Sequence, residues 1–164
     1  KGSERALQLV MDARPDILNH NLETADRLYR LARPGGRYDR ALRLLANARR
    51  MGGPDALTKS GMILGMGEEW DEILVCMRDL RRSDVNILTL GQYLRPTDGH
   101  LPVARFYSPD EFAELREAGM AMGFSHVQAS PLTRSSYHAW EQARSAGTHP
   151  ERAASANTTA HRIS

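Results

Sequence analysis

Apolar positions along the chain follow two alternating rhythms. Short apolar or β-branched runs stand at DILN (16–19), GMILG (61–65), NILTL (86–90) and SHVQA (125–129), each with the length and content of a strand. Between the runs, apolar residues recur every three to four positions. Trp70, Ile73, Leu74, Met77 and Leu80 form one stripe, with Glu69, Asp71, Arg78 and Arg81 off it, which predicts a helix packed on the sheet. Ser108-Pro109-Asp110-Glu111 is a capping box with proline at the first helical position. Phe112, Leu115 and Met122 then share a face until Gly123 ends the helix. Further helices are predicted over residues 3–13, 23–32 and 38–51, the last carried by Tyr38, Leu42, Leu45 and Arg49. Strands alternating with helices argue for an α/β fold with a parallel sheet. Residues 91–107, punctuated by Gly91, Pro96, Gly99 and Pro102, have no helical period and form a long connection of the kind that often carries function. No internal repeat is present, and the tail from about Ala146 reads as disordered.

Composition narrows this picture. A chain of 164 residues that is 41% hydrophobic supports one domain with its own core. A net charge of only +2 points away from a nucleic-acid-binding protein, and no run of about 18 apolar residues points to a membrane. The N-terminus KGSERALQL has no secretory pattern, so the expectation is a soluble, cytoplasmic protein without nucleic-acid or membrane partners. That segment opens directly on a helical pattern without an initiating methionine, as a fragment would. The single cysteine, Cys76, excludes an internal disulfide framework and any all-cysteine metal site. It borders the helical stripe and reads as a small buried hydrophobe. Lysine occurs only at Lys1 and Lys59, which singles out Lys59 in an arginine-rich background.

In parallel α/β folds ligand groups gather at the carboxyl ends of the strands. Those ends here are polar: Asn19-His20-Asn21-Leu22-Glu23-Thr24, Gly65-Met66-Gly67-Glu68-Glu69, Gly91-Gln92-Tyr93-Leu94-Arg95-Pro96 and Arg134-Ser135-Ser136-Tyr137-His138. Each has a purely structural alternative, since asparagines cap helices, Glu68 or Glu69 complements a helix dipole, and serines close turns. Their concentration at one rim favours a binding site.

The strings NHNLET, RPGGRYDRAL, TKSGMILGMGE, LTLGQYLRP, HLPVARFYSPDEF and PLTRSSYHA, in this order and spacing, resemble the C-terminal half of the lipoyl synthase family over roughly residues 1–140. Arg134–His138 is the most specific element, whereas the glycine pattern of residues 61–68 resembles the GxIxGxxE pattern common among radical S-adenosylmethionine (SAM) enzymes. The resemblance implies the C-terminal half of a partial TIM-like (β/α)6 barrel, with a C-terminal extension. Residues 1–140 then form the barrel part with its RSSY-type extension, and 141–164 a helical end and tail. It also implies radical insertion of two sulfur atoms into a protein-bound octanoyl chain, with two 4Fe-4S clusters and SAM as cofactors. Implied partners are an octanoylated lipoyl carrier domain or glycine-cleavage H protein, and an electron donor such as ferredoxin or flavodoxin.

Carried over by position, the resemblance gives a SAM-binding set of Asn19, Asn21, Glu23, Lys59, Gly61, Ile63, Gly65, Glu68, Gln92 and Arg95. Gly61 and Ile63 face the adenine, Asn19, Asn21 and Glu23 the ribose or amino-acid part, and Lys59, Gln92 and Arg95 the SAM carboxylate or the substrate amide. Ser135 is the implied oxygen ligand of the auxiliary cluster, with Ser136 in reserve. His20 and His138 are expected to hydrogen-bond rather than bind metal. Ala129-Ser130-Pro131 departs from the Ser-Gly-Pro more usual in the family. The family's cysteine sets are absent from these residues, so this chain alone is expected to be inactive, and its open barrel edge to make it marginal, dimeric or dependent on a missing half. The competing reading is a non-catalytic remnant of the same fold that binds a nucleotide or a lipoyl carrier domain.

Overall fold

The structure, a computed structural model, describes residues 3–134; the tail and the Ser135–His138 motif lie outside the described residues. Helix α1 (Glu4–Asp12) starts on Ser3, whose hydroxyl accepts from the Ala6 N–H. Strand β1 (Ile17–Asn19) follows, then a 3-10 turn (Asp26–Leu28), the one-turn helix α2 (Tyr29–Ala32) and the long helix α3 (Tyr38–Gly52). Strand β2 (Leu57–Leu64), α4 (Trp70–Arg82), β3 (Ile87–Gln92), α5 (Pro109–Ala121) and β4 (His126–Ala129) complete the alternation. Both reciprocal bonds of the expected capping box at Ser108 and Glu111 are present, and Glu69 with Glu72 makes a second one at the start of α4.

All four strands pair parallel in the order β1-β2-β3-β4, one for each of the four apolar runs. Among the described residues, β1 and β4 each pair on one side only. Register and the two-residue period sort the side chains. Leu18, Met62, Leu64, Leu88, Leu90 and Val127 join the helix-side core with Leu45, Ile73, Met77, Leu80, Phe112 and Leu115. The opposite face carries Asn19, Lys59, Ile87 and His126 in one row and Gly61, Thr89 and Gln128 in the next. Half of this sheet is an apolar wall under helices, and the other half is a largely polar surface.

Two sequence expectations need correction. Residues 23–32 do not form one helix, because Glu23 still pairs with β2 and only the 3-10 turn and α2 are helical. Strand β2 begins at Leu57 rather than Gly61, since its polar start is fully bonded: the Thr58 N–H donates to Asn86 Oδ1 (3.0 Å) and its hydroxyl to the Asp84 carbonyl (3.1 Å).

Candidate functional site

Past Asn19 the chain runs on beside β2 in a zipped, non-strand course. The His20 N–H donates to the Lys59 carbonyl (3.0 Å), the Leu22 N–H to Ser60 Oγ (3.1 Å) and the Glu23 N–H to the Gly61 carbonyl (3.0 Å), while Ile63 N–H returns to the Glu23 carbonyl (2.8 Å). This pairing holds Glu23 at φ 78°, a left-handed conformation that costs a non-glycine residue about 1–3 kcal/mol. Arg33 reinforces it, donating to the Asn21 carbonyl (3.1 Å) and lying 3.7 Å from the Glu23 carboxylate.

The zipped course turns the Asn21 side chain onto the polar face of the sheet. A Cβ at Gly61 would stand 2.7 Å from Thr89 Oγ1 and 3.0 Å from Asn21 Oδ1, so glycine is required for the approach. Asn21 Oδ1 is buried without a hydrogen-bond partner, and so is Thr24 Oγ1 in the same segment. A buried acceptor left unpaired costs about 1–3 kcal/mol, which a ligand's hydroxyl or ammonium donor would recover. Ile63 stands beside this point and packs with Met66, Leu28, Tyr93, Leu101 and Val103 in a separate apolar cluster at the same rim. An acceptor, a carboxylate, a flat glycine and an apolar wall thus adjoin one another.

The second strand end is spent on its own architecture. Glu68 is buried, and its carboxylate accepts from the Gly65 N–H (2.5 Å) and the Met66 N–H (3.0 Å), closing the turn that Gly65 enters at φ 117°. Gln92 is equally committed: its Nε2 donates to the Tyr93 and Arg105 carbonyls (both 3.1 Å), and its Oε1 accepts from the Tyr107 N–H (3.0 Å). The Ala104 N–H donates to the Gly65 carbonyl (2.7 Å) and the Tyr107 hydroxyl to the Glu68 carbonyl (3.4 Å). Arg95 bonds within its own loop, to the His100 carbonyl (3.0 Å) and to Asp98. In this structure Glu68 and Gln92 hold the long 93–107 connection against the rim, and Arg95 bonds within it.

Lys59 is fully buried on the polar face, and burial lowers its pKa. Burial, then Arg116 and last Lys59, hold His126 below the ordinary histidine range. His20 is lowered by burial and then by Arg33, so both histidines favour the neutral ring. Cys76 is buried on the helix side, its thiol pushed up to about 11 by burial. A lone, protonated, inward thiol does not fit an iron–sulfur cluster, and among the described residues no group of three His, Cys, Asp or Glu side chains could hold a metal ion. Ser135 and Ser136 lie outside the described residues; the described chain reaches Arg134 at this rim, where a Cβ at Gly91 would stand 2.2 Å from the Thr133 carbonyl oxygen. The Pro131 carbonyl accepts from the Gln92 N–H (3.3 Å), and the Ser130 hydroxyl pairs with that of Thr133 (2.9 Å), which accounts for the serine in that turn.

The structure thus brings Asn21, Glu23, Gly61 and Ile63 together, leaves Asn19 exposed at the end of β1, and sets Lys59 one row deeper. Sequence reasoning missed Thr89 and Arg33, and named Thr24 only within the first strand-end segment. Thr89 could have been found by aligning the strands, since it sits opposite Gly61; nothing local signals that Arg33 reaches back twelve residues to Asn21.

Comparison with known proteins gives a family resemblance. The sequence profile of the radical SAM superfamily matches residues 2–80. The chain is 54% identical over 146 residues to the lipoyl synthase of Rubrobacter xylanophilus, covering 89% of this chain and 45% of that protein. It is 51% identical over 145 residues to that of Koribacter versatilis (88% and 47%), and 54% identical over 145 residues to that of Bacillus cytotoxicus (88% and 48%). The chain spans about half the length of these relatives. No helix among the described residues is long and apolar enough to cross a membrane. The profile match and identities above one half lead to one placement: the chain is similar to the C-terminal portion of the lipoyl synthases of the radical SAM superfamily.

Proposed function

We propose that the protein containing this chain is a lipoyl synthase, which inserts two sulfur atoms into an octanoyl chain carried by a lipoyl domain or an H protein. The observation that carries the reading is the buried, unpartnered Asn21 Oδ1 facing Gly61 in a chain 54% identical to a lipoyl synthase. In this reading Asn21 and Glu23 accept from the hydroxyls or ammonium of SAM, while Gly61 and Ile63 lie against its adenine. Lys59 sits one row deeper as a buried cation for a carboxylate, and Asn19 borders the opening. Gly65, Glu68, Gln92 and Arg95 shape the wall from behind. Bound SAM supplies the radical that abstracts hydrogen from the octanoyl chain. This chain's residues bind and orient it, and the apolar cluster around Ile63 excludes water beside it. Ser135, with Ser136 in reserve, is the proposed oxygen ligand of the auxiliary cluster, and the cysteine ligands of both 4Fe-4S clusters come from the other half of the protein. A ferredoxin or flavodoxin would supply electrons.

The test is reconstitution of the full-length protein with iron and sulfide, then incubation with SAM, a reductant and an octanoylated carrier peptide. The expected products are 5′-deoxyadenosine and lipoylated peptide by mass spectrometry; absence of both overturns the reading. The 164-residue chain alone is expected to yield no 5′-deoxyadenosine under the same conditions, and its appearance would refute the division of ligands proposed above.

A further inference from the structure

The modest net charge of the chain conceals a segregation. From Asp26 to Arg50 stand eight arginines and two aspartates, with no lysine or glutamate, although the whole chain carries only +2. The remainder is therefore net acidic. This basic segment is the 3-10 turn, α2 and α3, which flank the proposed site. Two of its arginines are tied to the rim itself: Arg27 donates to the Gly67 carbonyl (2.8 Å) and pairs with Glu72 (2.9 Å), and Arg33 reaches Asn21 and Glu23. Arg43 is paired with Asp39 (2.6 Å), and Arg49 bonds the carbonyls of Gly53, Pro54 and Ala56.

Arg30 and Arg37 are different. Both are exposed, neither makes an ion pair among the described residues, and they line a surface pocket together with Asp26, Asp39, Tyr29 and Tyr38. Next to Arg30 in the chain, Leu31 is 64% exposed, an apolar side chain within the arginine-rich segment. Exposed arginines around an apolar anchor are the ordinary make-up of a protein-binding surface. The aromatic side chains weigh against nucleic acid: Tyr29 is buried and the Tyr38 hydroxyl is turned inward to Asp79 (3.0 Å), so neither offers a face for base stacking.

We infer that the Arg30, Leu31 and Arg37 surface is where the carrier protein docks, through an acidic face beside its octanoylated lysine. The inference rests on the proposed function, because it supposes a substrate delivered by a folded protein. A carrier that must lay a lysine-bound chain into the rim has to settle on the rim's flank, and this flank is the basic one. Charge complementarity there would speed encounter and fix orientation, leaving the chemistry to the polar face of the sheet.

The experiment uses the full-length, reconstituted enzyme with two substrates, an octanoylated carrier domain and a short octanoyl-lysine peptide too small to reach the Arg30, Leu31 and Arg37 surface. Arg30→Glu with Arg37→Glu is expected to raise KM for the carrier roughly tenfold and to flatten its salt dependence, with turnover of the peptide unchanged. The gentler Arg30→Ala with Arg37→Ala should raise it roughly threefold, and Arg78→Glu, on the exposed side of α4, should alter neither substrate. An unchanged KM for the carrier overturns the inference, as does an equal loss on both substrates in the alanine pair. If the carrier is unaffected while a fluorescent single-stranded RNA bound by the parent protein is released by the charge reversal, the surface serves nucleic acid and the inference is wrong. Failure of the parent enzyme on both substrates refutes the proposed function instead; the docking surface is then judged by direct titration of the carrier against the parent and the reversed variant, and equal affinities overturn it.

Discussion

The two halves of the carboxyl rim are built from equally polar sequence and use it in opposite ways. Around β1 and the middle of β2, backbone groups bond one another, and side-chain atoms are left over: Asn21 Oδ1 and Thr24 Oγ1 are buried and unpartnered, and Glu23 is held in a left-handed conformation. Around the end of β2 and β3 the reverse holds. Glu68, Gln92, Tyr93 and Tyr107 each bond a backbone group of the long connection or its turn, so that half is satisfied before any ligand arrives. Polarity at a strand end therefore does not mark a site. An unpaired, buried acceptor held in place at a cost does, because folding alone gains nothing from it.

The contrast breaks most visibly at Gly65. An alanine there would keep φ near 117° and push its Cβ to 2.5 Å from the Arg105 carbonyl oxygen and 2.3 Å from Gln92 Nε2. Backbone strain and overlap together should cost about 3 kcal/mol in urea denaturation, with the 93–107 connection the first part to exchange its amide protons. A variant as stable as the parent would show that this half of the rim is not self-supporting. Gln92→Ala comes next. Three hydrogen bonds to buried or half-buried partners are lost, and roughly 2 kcal/mol of stability should go with them, while SAM affinity falls only as far as the fold loosens.

Asn21→Ala should behave in the opposite sense. Its Oδ1 contributes no bond to the fold, so the melting midpoint should stay within about 1 °C or rise, while the dissociation constant for SAM in the full-length protein should increase about tenfold. Titration calorimetry beside a thermal melt separates the two. A stability loss with unchanged SAM binding would exchange the roles of the two halves.

Much of the framework was legible because it is local. The capping box at Ser108, the stripe of α4 and the apolar runs of the strands each satisfy their own requirements within a few residues. What escaped is long-range. Leu22, Ala25 and Tyr29 carry a helical period, yet Glu23 pairs with backbone of residues 61 and 63, and that pairing overrides it. Strand β2 looked too polar at Thr58, Lys59 and Ser60 because the partners of Thr58 and Ser60 come from Asp84, Asn86 and Leu22. Likewise nothing near Gln92 tells that Arg105 and Tyr107 will take its amide, so a scaffold residue and a ligand residue read alike. The exception is Asn21, whose role depends on Gly61, and only the strand register brings those two together.

The smallest expected effect is a pH dependence that samples both edges of the sheet. His20 lies at the rim and His126 at the start of β4; burial lowers both below the ordinary value of 6.5, with Arg33 assisting at His20 and Arg116 and Lys59 at His126. In the unfolded chain each histidine takes a proton near that value, whereas in the folded chain it does so only at lower pH. The unfolded state then holds more protons across that interval, so stability is complete above about pH 6.5 and declines as the pH falls toward the folded values. Glu72 and Glu111, lowered by Arg27 and by the Ser108 cap respectively, lose their contributions only at and below the carboxylate range, leaving the histidine window clear. Denaturation midpoints taken between pH 5 and 8 should therefore bend near pH 6.5, less so in His126→Gln and least in the double variant with His20→Gln. Only the His20 share of the bend should respond to a ligand bound at the rim, because His126 sits at the opposite end of its strand; a ligand that abolishes the His126 share instead would place the binding site deeper in the polar face, on the row of Lys59.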